Sequence, residues 1–351
     1  MGQDAWNGMA GASPFASWEW TMAWRTAAPP ARRSLAVAVT RPGILLPLRK
    51  STGPRGRWHS LVTDLGCPDH LDVLGGGELD GLLNGAFEAG ATSVALEGLA
   101  DQGRLRRELL PALDRDRSRF RLKVQDYCPM VALAESWHAY LQRLSTERRQ
   151  WIRRKERRAL AAGVTFVDHG ASDFDAGFDA LVALHACRWS DGGVFSDPRL
   201  VSLVRDASRR LFERDATWLT TAWLAGQPIG AWLGFGLGDT VSFYQSGRDL
   251  RQSSLSIGAV LMGRMIRLAH ERGFRNFDFL RGSEAYKAGW GATPEPIWYL
   301  EVYSDGVRGR ALQAAHTARR WATRVSGHLR GVAGRGETIT AGESAGSPEA
   351  P

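Results

Sequence analysis

GQPIGAWLGFGLGDTVSFYQSGRD, residues 226–249, sets two tight-turn signals, Gly226-Gln227-Pro228 and Gly238-Asp239, around a run of apolar and small residues. With the residues before it, the pattern predicts an antiparallel meander of Thr217–Ala225, Ile229–Leu237 and Val241–Ser246. Working forward, Ile257, Leu261, Met265 and Leu268 make a helical stripe over Ser256–Arg272, closed by Gly273. A strand at Arg275–Leu280, a short helix at Glu284–Trp290, a strand at Ile297–Ser304 and a basic helix near Arg308–Arg324 follow. Working backward, a strand at Val164–Asp168 precedes helices at Asp173–Trp189 and Asp197–Asp215, with Asp173 and Asp197 placed as N-caps. The second half thus reads strand, two helices, three antiparallel strands, helix, strand, short helix, strand.

Ser136–Ala162 contains neither glycine nor proline and stops at Gly163, which predicts one long helix linking the two halves. Arg148, Arg149, Arg153, Arg154, Lys155, Arg157 and Arg158 give it a dense basic run. That run reads either as a solvated face or as a docking face for an anionic substrate, a lipid surface or RNA. In the first half, Arg41-Pro42-Gly43 marks a hairpin within Ser34–Leu48, and Gly53–Gly77 is loop-rich. A helix at Glu78–Ala89, a strand at Thr92–Glu97, a helix around Gln102–Leu113 and a strand at Arg121–Gln125 complete a small α/β domain. Gly331–Pro351 is too polar to bury a core and is expected to be a disordered tail.

A length of 351 residues predicts two packed domains, and 44% hydrophobic with 23% charged residues is ordinary globular composition. The net charge of +8 favours anionic partners such as coenzyme phosphates. Cys67, Cys128 and Cys187 are widely spaced with no CxxC pair, so no disulfide framework and no metal site is indicated, and a cytoplasmic setting fits. Met1–Ala16 does not make a secretory signal. The longest apolar stretch, Ser34–Leu48, is interrupted well short of the roughly 20 residues a membrane helix needs. The expectation is a chain that does not span a membrane, with peripheral contact left open.

Four further segments accompany the meander in order: RRQWIRRKERRALAAG (148–163), LVALHACRWSDGGVF (181–195), SIGAVL (256–261) and GFRNFDFLRGSEAYKAGWG (273–291). Together, over Trp137 to Trp290, they resemble the CelD/BcsL-type branch of the GNAT superfamily, a branch associated with cellulose, capsule and other polysaccharide synthesis. That branch is similar to the Fem-type aminoacyl transferases, whose Phe-Lys-x-x-Phe-Gly motif has its counterpart in Tyr286-Lys287-Ala288-Gly289-Trp290-Gly291. The resemblance implies an α/β (α+β) fold of tandem GNAT-like lobes, each a mixed, mostly antiparallel sheet flanked by helices, the C-terminal lobe being the complete one. Its implied division is an extension at 1–30, a degenerate first lobe at 31–135, a connecting basic helix at 136–163, the acyltransferase domain at 164–330 and the tail at 331–351.

The resemblance also implies acetyl-CoA or another acyl-CoA as co-substrate, lying where the fourth strand, Val241–Ser246, and the fifth, Arg275–Leu280, part. The pyrophosphate would meet Gly247, Arg248, Arg251, Ser254, Ser256, Ile257 and Gly258, because a helix start offers free N–H donors and partial positive charge. The loop departs from the family pattern Gln/Arg-x-x-Gly-x-Gly/Ala by carrying serines, so a Ser-capped helix with surface arginines is the alternative reading.

Direct acyl transfer needs a base for the acceptor, donors for the thioester oxyanion and an acid for the thiolate. Lys287 is the first candidate, for an anionic substrate, the oxyanion or proton transfer; a surface ion pair with Glu284 is the alternative. Asp278 and Glu284 flank the fifth strand as candidate bases, although Asp278 could equally cap a loop or pair with Arg281. His185 is a candidate base or a core histidine. Tyr244 and Tyr286 are candidate acids, and Arg188, Trp189, Tyr286 and Trp290 are candidate acceptor contacts. The expected function is acyl-CoA-dependent N- or O-acyl transfer, with acetyl the expected group, to a sugar, polysaccharide precursor or amino-sugar conjugate. The alternatives are a Fem-like aminoacyl-tRNA-dependent transferase, disfavoured because no coiled-coil arm is present, and a non-catalytic GNAT-fold component of a polysaccharide-synthesis complex. DNA is not expected as a partner.

Overall fold

The computed structural model describes residues 3–9, 13–29, 35–38, 44–50, 56–60, 65–66, 69–188 and 193–318. In chain order the elements are α1 (Gln3–Met9), α2 (Trp18–Ala27), β1 (Leu35–Ala38), β2 (Ile44–Lys50), β3 (Arg57–Ser60), β4 (Leu74–Gly75), α3 (Asn84–Glu88), β5 (Ser93–Ala100), α4 (Leu110–Arg115), β6 (Arg119–Ala132), α5 (Trp137–Arg143) and α6 (Thr146–Ala161). They continue with β7 (Thr165–His169), α7 (Phe174–Arg188), α8 (Pro198–Phe212), β8 (Thr217–Leu224), β9 (Gln227–Leu237), β10 (Thr240–Arg248), α9 (Ile257–Glu271), β11 (Asn276–Asp278), α10 (Ala285–Ala288) and β12 (Thr293–Tyr303), then a last helix, α11, over 307–318.

The strands join in one mixed sheet in the order β1-β2-β3-β5-β12-β6-β11-β10-β9-β8-β7, with β4 on β2. The pairs β3–β5 and β10–β11 are parallel. The predicted meander is present as β8, β9 and β10, paired antiparallel. Strand alternation sends Leu219, Ala231, Leu233 and Phe235 to one face, where α2, α7 and α8 cover them. Trp218, Ile229, Trp232 and Phe243 lie in the opposite core, under α5, α6 and α9. A third core packs Leu79, Leu82, Leu105 and Leu109 against β2, β5 and β12. Helices therefore cover both faces of the second half, and the fold is α/β, two lobes sharing one mixed, mostly antiparallel sheet.

Several expectations shift in detail. The single long helix over Ser136–Ala162 is two, because Leu144 turns extended (ψ 159) and Ser145 accepts from the Arg148 N–H to cap a fresh start. The loop-rich stretch before Gly77 contains β3 and β4, too short to show a period. The helix expected over Glu78–Ala89 narrows to α3, and that around Gln102–Leu113 begins as a π turn at Leu105–Leu109. β6 is far longer than expected, and β12 lies between β5 and β6, in the sheet of the first half. Asp197 caps α8 as expected, and Asp173 stands directly before α7 with its carbonyl accepting from Gly177 N–H, its side chain accepting from Gly170 N–H and pairing with His169. Arg41–Gly43, the end of the basic helix after 318, and the tail at Gly331–Pro351 lie outside the described residues.

The N-terminal segment is integral to the core. Ser17 accepts from Trp20 N–H to cap α2, whose Trp20 and Trp24 are fully buried against α8. Burying each such ring contributes about 1.5–3 kcal/mol. Gly247 marks the tightest contact on the same face: a Cβ there would lie 2.4 Å from His185 N and 2.6 Å from the Leu184 carbonyl carbon. A helix backbone cannot yield as a side chain can, so Gly247→Ala is expected to lower stability by about 2 kcal/mol or more in urea denaturation, through displacement of α7 from β10.

Candidate active site

β10 and β11 run together for three residue pairs, Thr240 with Asn276, Val241 with Phe277 and Ser242 with Asp278. β10 then continues to Arg248 with β9 as its partner, bulging at Tyr244. The chain beyond Asp278 follows the other neighbour: Phe279 N–H donates to Pro129 O and Gly282 N–H to Tyr127 O, both on β6. The two central strands consequently part after Ser242, at the boundary between the lobes.

Leu280 makes this turn in the left-handed region (φ 54), which costs a non-glycine residue on the order of 1 kcal/mol and requires support. Asp278 Oδ1 accepts from Leu280 N–H at 2.8 Å. Lys287, buried on α10, donates from Nζ to the carbonyls of Leu280, Arg281 and Gly282 at 3.1, 3.1 and 3.2 Å, and pairs with Glu284 at 2.8 Å. Its ammonium thus holds the departing loop. Glu284, mostly exposed, adds little to that hold.

Into the same place the first lobe brings Asp69 and His70. Asp69 is buried and takes Arg281 three times, from its backbone N–H at 2.9 Å and its guanidinium at 3.0 and 2.7 Å. His70, itself left-handed (φ 54), sets Nε2 3.0 Å from Asp278 Oδ2. Burial opposes its charge, but Asp278, then Asp69 and Glu295, raise its pKa above the ordinary 6.5. Burial raises the pKa of Asp69 against the opposing pull of Arg281. Cys128 on β6 is driven up by burial and by both aspartates, so it remains a thiol. The His70 nitrogen, Cys128 sulfur and Asp278 oxygen lie within 4.8 Å of one another, a grouping that cysteine spacing could not reveal and that is compact enough for a divalent ion. His70 and Asp278, 3.0 Å apart, are the nearest of its members to an ion pair.

On the other side of the gap, α9 begins at Ile257 after Ser256, which is left-handed (φ 50) and makes no side-chain cap. Arg248 reaches over this tip, its Nη1 3.8 Å from where a Gly258 Cβ would stand. Arg251 is turned outward and paired with Asp249 at 2.8 Å, and Ser254 is exposed. The remaining sequence candidates fall elsewhere. His185 is buried against Phe195 on α7, and Tyr244 packs on Trp20 and Phe235 while donating to Gly66 O. Tyr286 rests against Phe279, and Trp290 is buried beneath α9. Arg188 ends α7 with its side chain, like Trp189 as a whole, outside the described residues.

Asp278, Lys287 and Glu284 are therefore brought together, whereas His185, Tyr244 and Trp290 are not part of the cluster. Sequence reasoning missed Asp69, His70 and Arg281 as site members. The one local signal was the polar pair Asp69-His70 set directly before Leu71-Asp72-Val73-Leu74, in which Leu71, Val73 and Leu74 are buried.

Residues 146–288 match the family described as Acetyltransferase (GNAT) domain. FemX is similar at 11% identity and a TM-score of 0.62, over 86% of this chain and 96% of its own. A conserved protein of unknown function from Bacteroides thetaiotaomicron is similar at 11% and 0.60, over 86% and 96%. L-PGS from Bacillus licheniformis is similar at 12% and 0.52, over 87% and 98%. At these identities the likeness is one of fold. No curated protein sequence matches the chain significantly. The likeness to the GNAT acetyltransferase domain thus lies in residues 146–288, and the structural neighbours share the fold of the whole chain. Among the described residues, no helix is long and apolar enough to cross a membrane.

Two outcomes follow. Lys287→Ala would strand three carbonyls, and charge-assisted bonds of this kind are worth about 1.5–3 kcal/mol each before solvent compensates. A loss of about 2–4 kcal/mol in urea denaturation is expected, against less than about 1 kcal/mol for Glu284→Ala. Because the folded pKa of His70 is raised, its charged form stabilises the fold fully below pH 6.5, and that contribution disappears as pH rises through the folded value. The stability gap between the native protein and His70→Gln should accordingly be widest below pH 6.5 and shrink toward alkaline pH, which denaturation across a pH series will read.

Proposed function

We propose that the chain is an acyltransferase that moves an acyl group, acetyl in the simplest case, from coenzyme A to an amine or hydroxyl of a sugar, polysaccharide precursor or amino-sugar conjugate. The observation that carries this reading is the parting of β10 and β11 with His70 and Asp278 at its edge. Asp278 Oδ2, 3.0 Å from Nε2, steadies the ring, and in the neutral imidazole Nδ1 is the proton acceptor. The acceptor's N–H or O–H proton passes to His70 as its nitrogen or oxygen bonds to the acyl carbon. The carbon–sulfur bond then breaks, and the proton is returned to the leaving sulfur. The α9 tip with Arg248 suits the coenzyme diphosphate. The sugar-type acceptor rests on the CelD/BcsL-type resemblance.

Calorimetry with acetyl-CoA and desulfo-CoA tests the donor: saturable binding is expected, and none by folded protein would remove the coenzyme from the proposal. His70→Gln and Asp278→Asn should each lower kcat by about 10²–10⁴-fold with donor binding retained. Native turnover in both variants would reject the proposed base.

A second reading, aminoacyl-tRNA as donor, is favoured by α6. Arg153, Arg154, Arg157 and Arg158 are exposed along it, and no carboxylate among the described residues lies within ion-pairing distance of them. It requires tRNA binding that weakens steeply with salt as counterions are released. Salt-dependent tRNA binding without coenzyme binding would select this reading over the first.

A further inference from the structure

A cavity of about 490 Å³ opens where α5 gives way to α6, against the end of α10. Its size falls within the range of small-molecule sites, about 300–1,000 Å³. Arg148 and Trp151 line one side, and Ala288, Gly289 and Gly291 the other. The Arg148 guanidinium stacks over Trp151 at 4.1 Å and over Trp290 at 4.8 Å, which fixes its plane.

Arg57, Arg267 and Arg281, partly buried like Arg148, each meet a carboxylate, at 3.0, 2.9 and 2.7 Å, and partly buried Arg149 on the same helix is answered by the Gln142 and Leu144 carbonyls. No carboxylate among the described residues comes within ion-pairing distance of Arg148, and its Nε is buried without an acceptor. Burial lowers its pKa accordingly. Holding a partly desolvated cation without an anion is costly, so an arrangement that locks it between two rings points to an anion supplied from outside the chain. The surrounding charges agree: Arg143 also lines the cavity, Lys155 sits over the far part of the Trp151 ring at 5.7 Å, and Glu147 is the one acid on the wall. The start of α6, capped by Ser145, adds its partial positive charge.

Gly289 supplies an independent sign. Its φ of −63 makes no demand for glycine, yet a Cβ there would stand 3.1 Å from Arg148 Cζ and 3.2 Å from Nη2. A side chain there would require the guanidinium to shift by a few tenths of an ångström. We propose that this cavity is a second ligand site, for a small molecule bearing a phosphoryl group, with Arg148 as the charged anchor and Trp151 as an apolar wall. The site is separate from the proposed donor site, since none of its lining belongs to the α9 tip or to the His70 cluster.

The test uses the full chain carrying Arg248→Gln, so that phosphate at the α9 tip does not contribute. Inorganic phosphate and diphosphate are titrated by calorimetry at low ionic strength, with acetate as the carboxylate control. Saturable phosphate or diphosphate binding is expected, weakened at least tenfold by Arg148→Gln and only partly restored by Arg148→Lys, which keeps charge but loses stacking and the planar fork. Gly289→Ala should weaken it similarly and decides the matter should Arg148→Gln not fold. Absence of saturable binding, binding that persists in Gly289→Ala and Arg148→Gln, or acetate binding as tightly as phosphate would each overturn the proposal.

Discussion

The separation of two neighbouring strands depends on which partner the backbone after Asp278 chooses. Its amides at Phe279 and Gly282 go to β6, not β10, and the choice is enforced by a buried ammonium that gathers three successive carbonyls from the turn. A backbone that leaves a sheet carries unsatisfied groups, and in a buried place these must be answered. Lys287 answers the carbonyls, Asp278 the Leu280 amide and Asp69 the Arg281 amide. One set of polar side chains therefore opens the gap and lines its edge.

The same economy explains why the first lobe cannot be regarded as an appendage. β12 closes its sheet between β5 and β6, and β6 in turn borders β11. Cys128 and Asp69 reach the site from that lobe, as does His70, whose raised pKa comes from carboxylates on both sides of the boundary. The base proposed for acyl transfer exists only where the lobes meet. Strain is concentrated there as well, with left-handed His70 and Leu280 facing the pair and left-handed Ser256 opening α9.

Charge is distributed unevenly over the basic chain. Arg251, expected to serve a diphosphate, is matched by Asp249, and Arg281 by Asp69. Arg148 and the outer arginines of α6 have no such match among the described residues, and the +8 balance is felt on that flank. Half-buried Arg148 and fully solvated Arg153 differ in consequence: the first bears a desolvation cost that an anion relieves, whereas the second is already satisfied by water.

Local patterning by itself determined the second half of the molecule. Turn residues at 226–228 and 238–239 delimited the meander, the spacing of Ile257, Leu261, Met265 and Leu268 gave α9, and alternation set Asp278 opposite Phe277 and Phe279. These are short-range signals, written within one element. The break at Leu144–Ser145 was legible only as a Ser cap inside an otherwise unbroken helical stretch, and β3 and β4 were too brief to carry a period. Tertiary structure alone decided that His70 meets Asp278, that Arg281 takes Asp69, that Lys287 turns inward to carbonyls, and that β12 crosses into the first lobe. Those contacts join residues remote along the chain, and no local periodicity encodes a pairing that is settled by which buried polar groups can satisfy one another.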